Sequence, residues 1–262
     1  ANGLIIVNGK AFAVTAQNCN GVDNGLWAYD FEAQQSATWK GDVVGSTGAA
    51  FGGDGTAFVT TKNGVTAIDS KTLQAKGSYA ASGQEFSSSP VVFELKGKTL
   101  VAAATKTGSV HLLDAANLSA AVATTPAGKD AALGALASWQ DAGGMRWILV
   151  PTDKAVVAWK VVEQGGSLTL QQGWASRDLV SPLTPTIING VVFATSGGEF
   201  RTNDSKVTAA QRAARSKPAV IYALDGMTGK ELWNSGTTIT SFARSMHFAR
   251  LSRQRRISAS PP

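Results

Sequence analysis

The sequence predicts an all-β fold, a β-propeller of four-stranded antiparallel blades, with about five to six blades present in an incomplete or open ring. Three observations predict it. Short apolar stretches alternate with the two-residue period of a β-strand, as in VIYAL at 220–224. Tight turns at Asn-Gly, Asp-Gly or Lys-Gly separate these stretches. The resulting units recur at roughly 40 residues, the period of propeller blades, each of which needs neighbours to bury its faces.

The clearest unit is VIYALDGMTGKELWNSG, residues 220–236. Asp225 can accept hydrogen bonds from the backbone N–H groups just ahead of it, which predicts a capped turn. Gly226 and Gly229 permit positive φ where other residues would be strained. Trp233 then resumes a strand and supplies a large apolar surface to bury.

Weaker copies of this unit run along the chain. Aligned on the turn residue, they are NGLWAYDFEAQQSATWKG (24–41), NGVTAIDSKTLQAKGSY (63–79), GSVHLLDAANLSAAV (108–122) and KAVVAWKVVEQGGSLTLQQGW (154–174). Lys160 replaces the Asp in the last copy, and Trp39 and Trp174 follow the turns of the first and the last. Because an acid recurs at the same place in the repeat, we predict turn capping rather than one active site for Asp30, Asp69, Asp114 and Asp225.

A second hairpin precedes most copies, which divides a single propeller domain, residues 1–243, into five units. Their approximate bounds are 1–44, 45–84, 85–130, 131–180 and 181–243. The last unit contains a polar insertion, residues 199–217, whose VTAAQRAARS stretch is rich in helix formers and predicts a short helix on the rim. Its basic residues form either a solvated face or a binding loop.

The stretch YALDGMTGKELW resembles the repeat of the quinoprotein-like (PQQ-like) β-propellers, in which the phrase closes one blade and docks its Trp against the next. The span 3–242 is similar to bacterial PQQ-binding-like β-propeller repeat proteins, through FSSSPVVF, GWASRDLVSPLTPTIINGVVFA and ALDGMTGKELWNSGTTITSF. This resemblance implies a periplasmic or secreted bacterial protein. It also implies a structural repeat signature at Asp30, Trp39, Asp69, Asp114, Asp225, Gly229 and Trp233.

Catalytic members of that family hold the quinone against a vicinal disulfide ring, with Ca²⁺ bound by Glu, Asn and Asp. This chain has a single cysteine, Cys19, which excludes the disulfide ring. The sequence shows neither calcium-site spacing, nor C-x-x-C-H, nor a G-x-S-x-G elbow. We therefore expect no catalytic, cofactor-binding or metal-binding residue in this chain. PQQ with calcium belongs to the alternative, a fragment of a PQQ-dependent dehydrogenase whose cofactor residues lie outside this chain.

The net charge of +6 comes mostly from the end of the chain. The tail, residues 244–262, carries five arginines and no acid, which leaves +1 for residues 1–243. A nucleic-acid partner for the folded part is therefore not expected. The tail is either a natural basic arm for nucleic acid or anionic lipid, or out-of-frame or fragment sequence; the abrupt loss of patterning favours the second.

These observations predict a non-catalytic binding or scaffold module in the bacterial cell envelope. An unidentified protein or small ligand would contact the propeller loops, and no stretch is apolar enough to suggest a membrane span. Cys19 and His247 are expected to have no special role. His111, which replaces an apolar residue within a strand, is expected on the blade surface.

Overall fold

The computed structural model describes residues 2–16, 21–44, 48–128, 130–132, 134–200 and 206–237. These residues form five four-stranded antiparallel sheets and one short helix, which confirms the all-β propeller prediction. In every sheet the strands pair in sequence order, so each blade is an up-and-down meander. Cys19, His247 and the basic tail lie outside the described residues.

The strands have the following bounds. The first blade contains β1 (Asn2–Val7), β2 (Lys10–Thr15), β3 (Gly25–Asp30) and β4 (Gln35–Lys40). The second contains β5 (Ala50–Phe51), β6 (Thr56–Thr61), β7 (Gly64–Asp69) and β8 (Ala75–Ala80). The third contains β9 (Val91–Leu95), β10 (Lys98–Ala104), β11 (Val110–Asp114) and β12 (Asn117–Thr124). The fourth contains β13 (Ala137–Gln140), β14 (Arg146–Pro151), β15 (Val156–Gln164) and β16 (Ser167–Ala175). The fifth contains β17 (Thr186–Ile188), β18 (Val191–Ser196), β19 (Val220–Asp225) and β20 (Glu231–Asn234).

The hydrophobic core is divided into clusters, each lying between two successive blades. Strand β10 shows how the two-residue period produces this arrangement. Val101 and Ala103 pack against the second blade, whereas Leu100, Ala102 and Ala104 pack against the fourth. Because both faces of an inner blade are covered, its central strands are apolar throughout rather than alternating with polar residues.

The two end blades each leave one face uncovered, so the arc of blades is open. Ile6 lies on the face of the first blade opposite to the buried Phe12, and its side chain is 64% exposed. Trp233 lies on the outward face of the fifth blade and is 56% exposed. These faces resemble the inner ones in composition but lack a neighbouring blade among the described residues.

The connections lie at two ends of the blades. We call the end with the turns after Asp30, Asp69, Asp114 and Asp225 the Asp-turn end, and the end with the connections between successive blades the linker end. The β18–β19 connection, at the linker end, contains the predicted helix, α1 (Ala209–Arg215). Thr208 and Gln211 form a capping box at its start. No helix in the described part of the chain is long and apolar enough to cross a membrane.

Candidate functional site

The acidic side chain of the clearest repeat is held within its own turn. Asp225 Oδ1 accepts hydrogen bonds from the backbone N–H groups of Met227 at 3.1 Å and Thr228 at 2.8 Å. It also accepts one from the Thr228 hydroxyl at 2.8 Å. These bonds, the Thr228 hydroxyl first, lower the pKa of Asp225. The carboxylate is therefore ionised, and its Oδ1 atom accepts hydrogen bonds from the turn itself.

The corresponding acids of the first three blades make the same kind of bond. Oδ1 of Asp30, Asp69 and Asp114 accepts the N–H group two residues ahead at 2.9–3.0 Å. In Asp30 and Asp69 it also accepts the N–H group three residues ahead, at 2.9 Å. Backbone bonds of this kind are the largest cause lowering the pKa of both. Each carboxylate serves its own blade, and none joins the others in a common site.

The described residues do not fit a quinone and calcium group. Among them, no group of three or more His, Cys, Asp or Glu side chains could hold a metal ion. The four repeat acids, which are the candidates by residue type, accept N–H groups in four separate turns.

The tryptophan of the fourth blade docks on the turn of the fifth. Trp174 is 7% exposed, and its Nε1–H donates to the Gly226 carbonyl oxygen at 2.9 Å. Its indole ring covers Gly229, whose φ is +70°. A Cβ at Gly229 would lie 2.6 Å from the ring. Gly229 is thus required both by its backbone conformation and by the indole of the preceding blade.

The strand register defines where such a tryptophan must stand. Trp174 pairs with Ala158, and Trp233 pairs with Ala223, in each case two residues before the turn residue of that blade. We call this the docking position of a blade. In the first three blades the docking position holds Ala37, Gly77 and Ala123, paired with Ala28, Ala67 and Leu112.

Trp39 does not occupy the docking position of the first blade. It pairs with Leu26, four residues before Asp30 and nearer the linker end. Trp39 follows Asp30 by nine residues, whereas Trp233 follows Asp225 by eight. The fifth blade also has a register shift, between Ala223 and Leu224, that the first blade lacks. Together these two differences place the indoles two register positions apart.

At two of the three interfaces without a tryptophan at the docking position, leucines of the following blade join the shared cluster. Between the first and second blades Leu73 is buried in that cluster, and Trp39 packs against it. Between the third and fourth blades, Leu168 and Leu170 of the long β15–β16 hairpin pack against the shared cluster, as does Ala123.

The space between the second and third blades remains open. A Cβ built on Gly77 meets no atom within 4 Å. The opening is a groove of about 840 Å³ at the Asp-turn end, which we call the Gly77 groove. Phe58, Ala67 and Leu118 lie at its base and are almost fully buried. The short turn from Asp114 to Asn117 forms one wall, and Asp54, Lys76 and Lys98 also line the groove.

Sequence reasoning missed this groove. Gly77 stands two residues before the end of the second copy, NGVTAIDSKTLQAKGSY, and pairs with Ala67 at the docking position. The glycine is visible in the sequence AKGSY. Its place at the docking position, and hence the groove, follows only from the strand register.

His111 is buried between the second and third blades, so the expectation of a surface position was wrong. Its exposed fraction is 2%. Nδ1 lies 2.9 Å from the Tyr79 hydroxyl and Nε2 lies 3.2 Å from Gln84 Oε1. Burial lowers the pKa of His111 and raises the pKa of Tyr79, which keeps both groups neutral. Both ring nitrogens are used in joining the blades.

The linker end carries ion pairs that connect successive blades. Lys62 Nζ lies 3.2 Å from a Glu85 carboxylate oxygen, and Lys106 pairs with the same carboxylate. Lys154 Nζ lies 2.9 Å from Asp130. All these side chains are partly or largely exposed, so solvent screening leaves each pair only a small contribution to stability. Their effect is to make this surface charged and mixed in sign.

Comparison of the sequence with known families finds no match, and comparison with characterised proteins finds none. Comparison with solved structures finds β-propellers. BamB from Moraxella catarrhalis gives a TM-score of 0.55 at 16% identity, over 89% of this chain and 72% of BamB. A chain of the mitotic checkpoint complex gives 0.62 at 11% identity, over 90% of this chain and 64% of that one. A chain in the structure of BBS1N in complex with ARL6DN gives 0.52 at 14% identity, over 89% and 67%.

The chain thus spans about two thirds of the length of these structures. At such low identity the likeness concerns the fold alone. Together with the five meander sheets and the clusters between them, it shows that this chain is a β-propeller with an open arc of blades.

Proposed function

We propose that this protein is a non-catalytic scaffold that binds another protein through the loops and grooves at the ends of its blades. The observation that carries this proposal is the Gly77 groove, a preformed opening of about 840 Å³ between blades that a shared hydrophobic cluster holds together. A rigid opening limits the entropy lost when a partner binds.

Similar structures support a protein partner. The structure containing BBS1N is a complex with ARL6DN, and another similar chain belongs to the mitotic checkpoint complex. The resemblance of YALDGMTGKELW to PQQ-like repeats supports, by analogy, a member of that repeat family in the bacterial cell envelope.

Site-specific photo-crosslinking tests the proposal. A photoreactive phenylalanine analogue replaces Ser78 in the Gly77 groove, Lys62 at the linker end, or Ser36 on the exposed strand β4. The protein is expressed in a bacterial periplasm and irradiated. We expect a defined protein adduct from at least one end of the blades, and micromolar or tighter binding when that partner is purified.

Two results would contradict the proposal. One is the same set of adducts from all three positions, because a specific surface cannot give equal crosslinking everywhere. The other is the absence of direct binding by the purified partner. Reduction of a redox dye after addition of PQQ and Ca²⁺ would instead support the dehydrogenase alternative.

A further inference from the structure

We propose that the Gly77 groove binds the tryptophan side chain of an extended segment of a partner protein. This inference rests on the proposed scaffold function and names the chemistry of its partner. It follows from comparing the same space at successive blade interfaces of one chain.

The interface between the fourth and fifth blades shows what such a space accepts. There the indole of Trp174 lies flat on Gly229 and donates to the Gly226 carbonyl. In the third blade, Ala115 follows Asp114 as Gly226 follows Asp225. Its carbonyl is therefore the corresponding acceptor for an indole N–H in the Gly77 groove.

Gly77 supplies no side chain at the docking position of the second blade, although Asp54, Thr56 and Lys76 of the same blade line the groove beside it. Gly77 stands where Trp174 stands in the fourth blade, and its missing Cβ faces open space. The third-blade turn does not fill it either, because Asp114 already pairs with Asn117 and the hairpin ends there. An indole from outside the chain can take the position that the repeat leaves empty.

The floor of the groove is continuous with an existing interface. Phe58, Ala67 and Leu118 belong to the hydrophobic cluster that joins the second and third blades. An aromatic ring placed on them would extend that cluster rather than form a separate contact. The volume of about 840 Å³ lies within the range of roughly 300–1,000 Å³ typical of ligand pockets and leaves room for residues flanking the ring.

The edge of the second blade favours an extended segment. Strand β8 is the last strand of its sheet, so one side of its backbone is free to pair with an added strand. An extended segment lying along β8 would direct every second side chain into the groove. A tryptophan in such a segment therefore reaches the groove floor without distortion of the blade.

The charged groups near the rim already have partners. Lys76 is paired with Asp54, at 3.5 Å, and donates to Thr56 at 2.8 Å. Lys98 follows the alternation of Leu100 and Ala102 in β10, on the side of the fourth blade, where Lys96 and Lys98 lower the pKa of Glu163. The rim therefore sets no charge requirement on the residues beside the partner's tryptophan.

A synthetic peptide tests the inference directly. The probe QQGWAE repeats residues 171–175 of this chain, which present Trp174, and adds a glutamate. Its control, QQGAAE, lacks the indole. Binding is followed by the amide NMR shifts of the ¹⁵N-labelled protein. We expect shifts centred on Gly77, Ser78 and Ala115, and at least about tenfold weaker binding of the control peptide, because a buried indole is a typical hot spot.

Two variants of the protein identify the site. Gly77→Trp fills the groove from within and should abolish peptide binding, whereas Ser36→Trp, on the exposed strand β4, should leave it unchanged.

Several outcomes would overturn the inference. Equal affinity for the two peptides would exclude an indole site, and shifts centred elsewhere would exclude this groove. Dimerisation of the protein that is lost in Trp233→Ala and blocked by Gly77→Trp would show that the occupant is a second copy of this chain. A photo-crosslinked partner that binds Gly77→Trp as tightly as the unchanged protein would overturn the inference and leave the scaffold function intact. Peptide binding without any protein partner would contradict the scaffold function instead.

Discussion

The contact between Trp174 and the turn of the fifth blade gives the sharpest prediction about stability. Trp174 and Trp233 occupy the same docking position in successive blades, but the first is 7% exposed and the second 56%. Replacing each by alanine therefore removes the same atoms from a covered and from an uncovered site. The pair isolates the effect of the neighbouring blade.

The expected difference follows from the buried area and one hydrogen bond. The two exposures differ by about half of a tryptophan side chain, which is on the order of 100 Å² and about 2.5 kcal/mol at 25 cal/mol per Å². The bond from Trp174 Nε1 to Gly226 adds about 1 kcal/mol, since its loss leaves a covered carbonyl unpaired. We expect Trp174→Ala to lower the free energy of unfolding by about 3 kcal/mol more than Trp233→Ala.

Urea unfolding followed by far-UV circular dichroism measures both variants without depending on tryptophan fluorescence. The dependence on urea concentration should be unchanged, so that the shift in midpoint reports stability. If the transition splits, the first midpoint is compared, because repeat blades can unfold separately. A difference below about 0.5 kcal/mol between the two variants would refute the assigned docking of Trp174, since surface substitutions alone reach that value.

Three further predictions concern other parts of the chain. Gly229→Ala should destabilise the protein more than Gly83→Ala, as measured by the urea midpoints of the two variants. Both glycines have φ near +70°, but only at Gly229 would the added Cβ meet an indole ring. Stability should fall as the pH decreases below 6.5, the ordinary pKa of histidine, because the lowered pKa of His111 means that the unfolded chain takes up the proton first. His111→Gln should remove this loss between pH 6.5 and 5, and an unchanged pH profile would contradict the burial of His111. Addition of PQQ and Ca²⁺ should change neither the absorbance spectrum of the quinone nor the rate of dye reduction, and a calcium-dependent change in either would favour the dehydrogenase alternative.

Features that depend on neighbouring residues in the chain could be predicted from the sequence. The fold class follows from the alternation in VIYAL, the turn chemistry of Asp225 and the recurrence of the unit. The short helix in the insertion follows from the helix formers in VTAAQRAARS. An Asp that accepts N–H groups two and three residues ahead needs no information from elsewhere in the fold. The PQQ-like family, the periplasmic location and the partner stay predictions.

Features that depend on register and on the next blade could not be predicted in this way. Trp39 and Trp233 follow their Asp residues by nine and eight residues, and a register shift in one sheet adds to that difference, so that the indoles stand two register positions apart. His111 is buried because Tyr79 and Gln84 of the preceding blade and linker meet it, and these residues lie about thirty positions away.

Hydrogen bonding and side-chain alternation act over a few residues, so the amino-acid sequence alone predicts repeated four-stranded sheets with capped turns. Which spaces between the sheets are filled depends on how the blades are arranged in the folded protein. The Gly77 groove exists because a glycine on β8 faces a short turn from Asp114 to Asn117, and either residue pattern alone is unremarkable. Whether two surfaces leave a cavity depends on both surfaces at once, and the chain brings them together only when it folds.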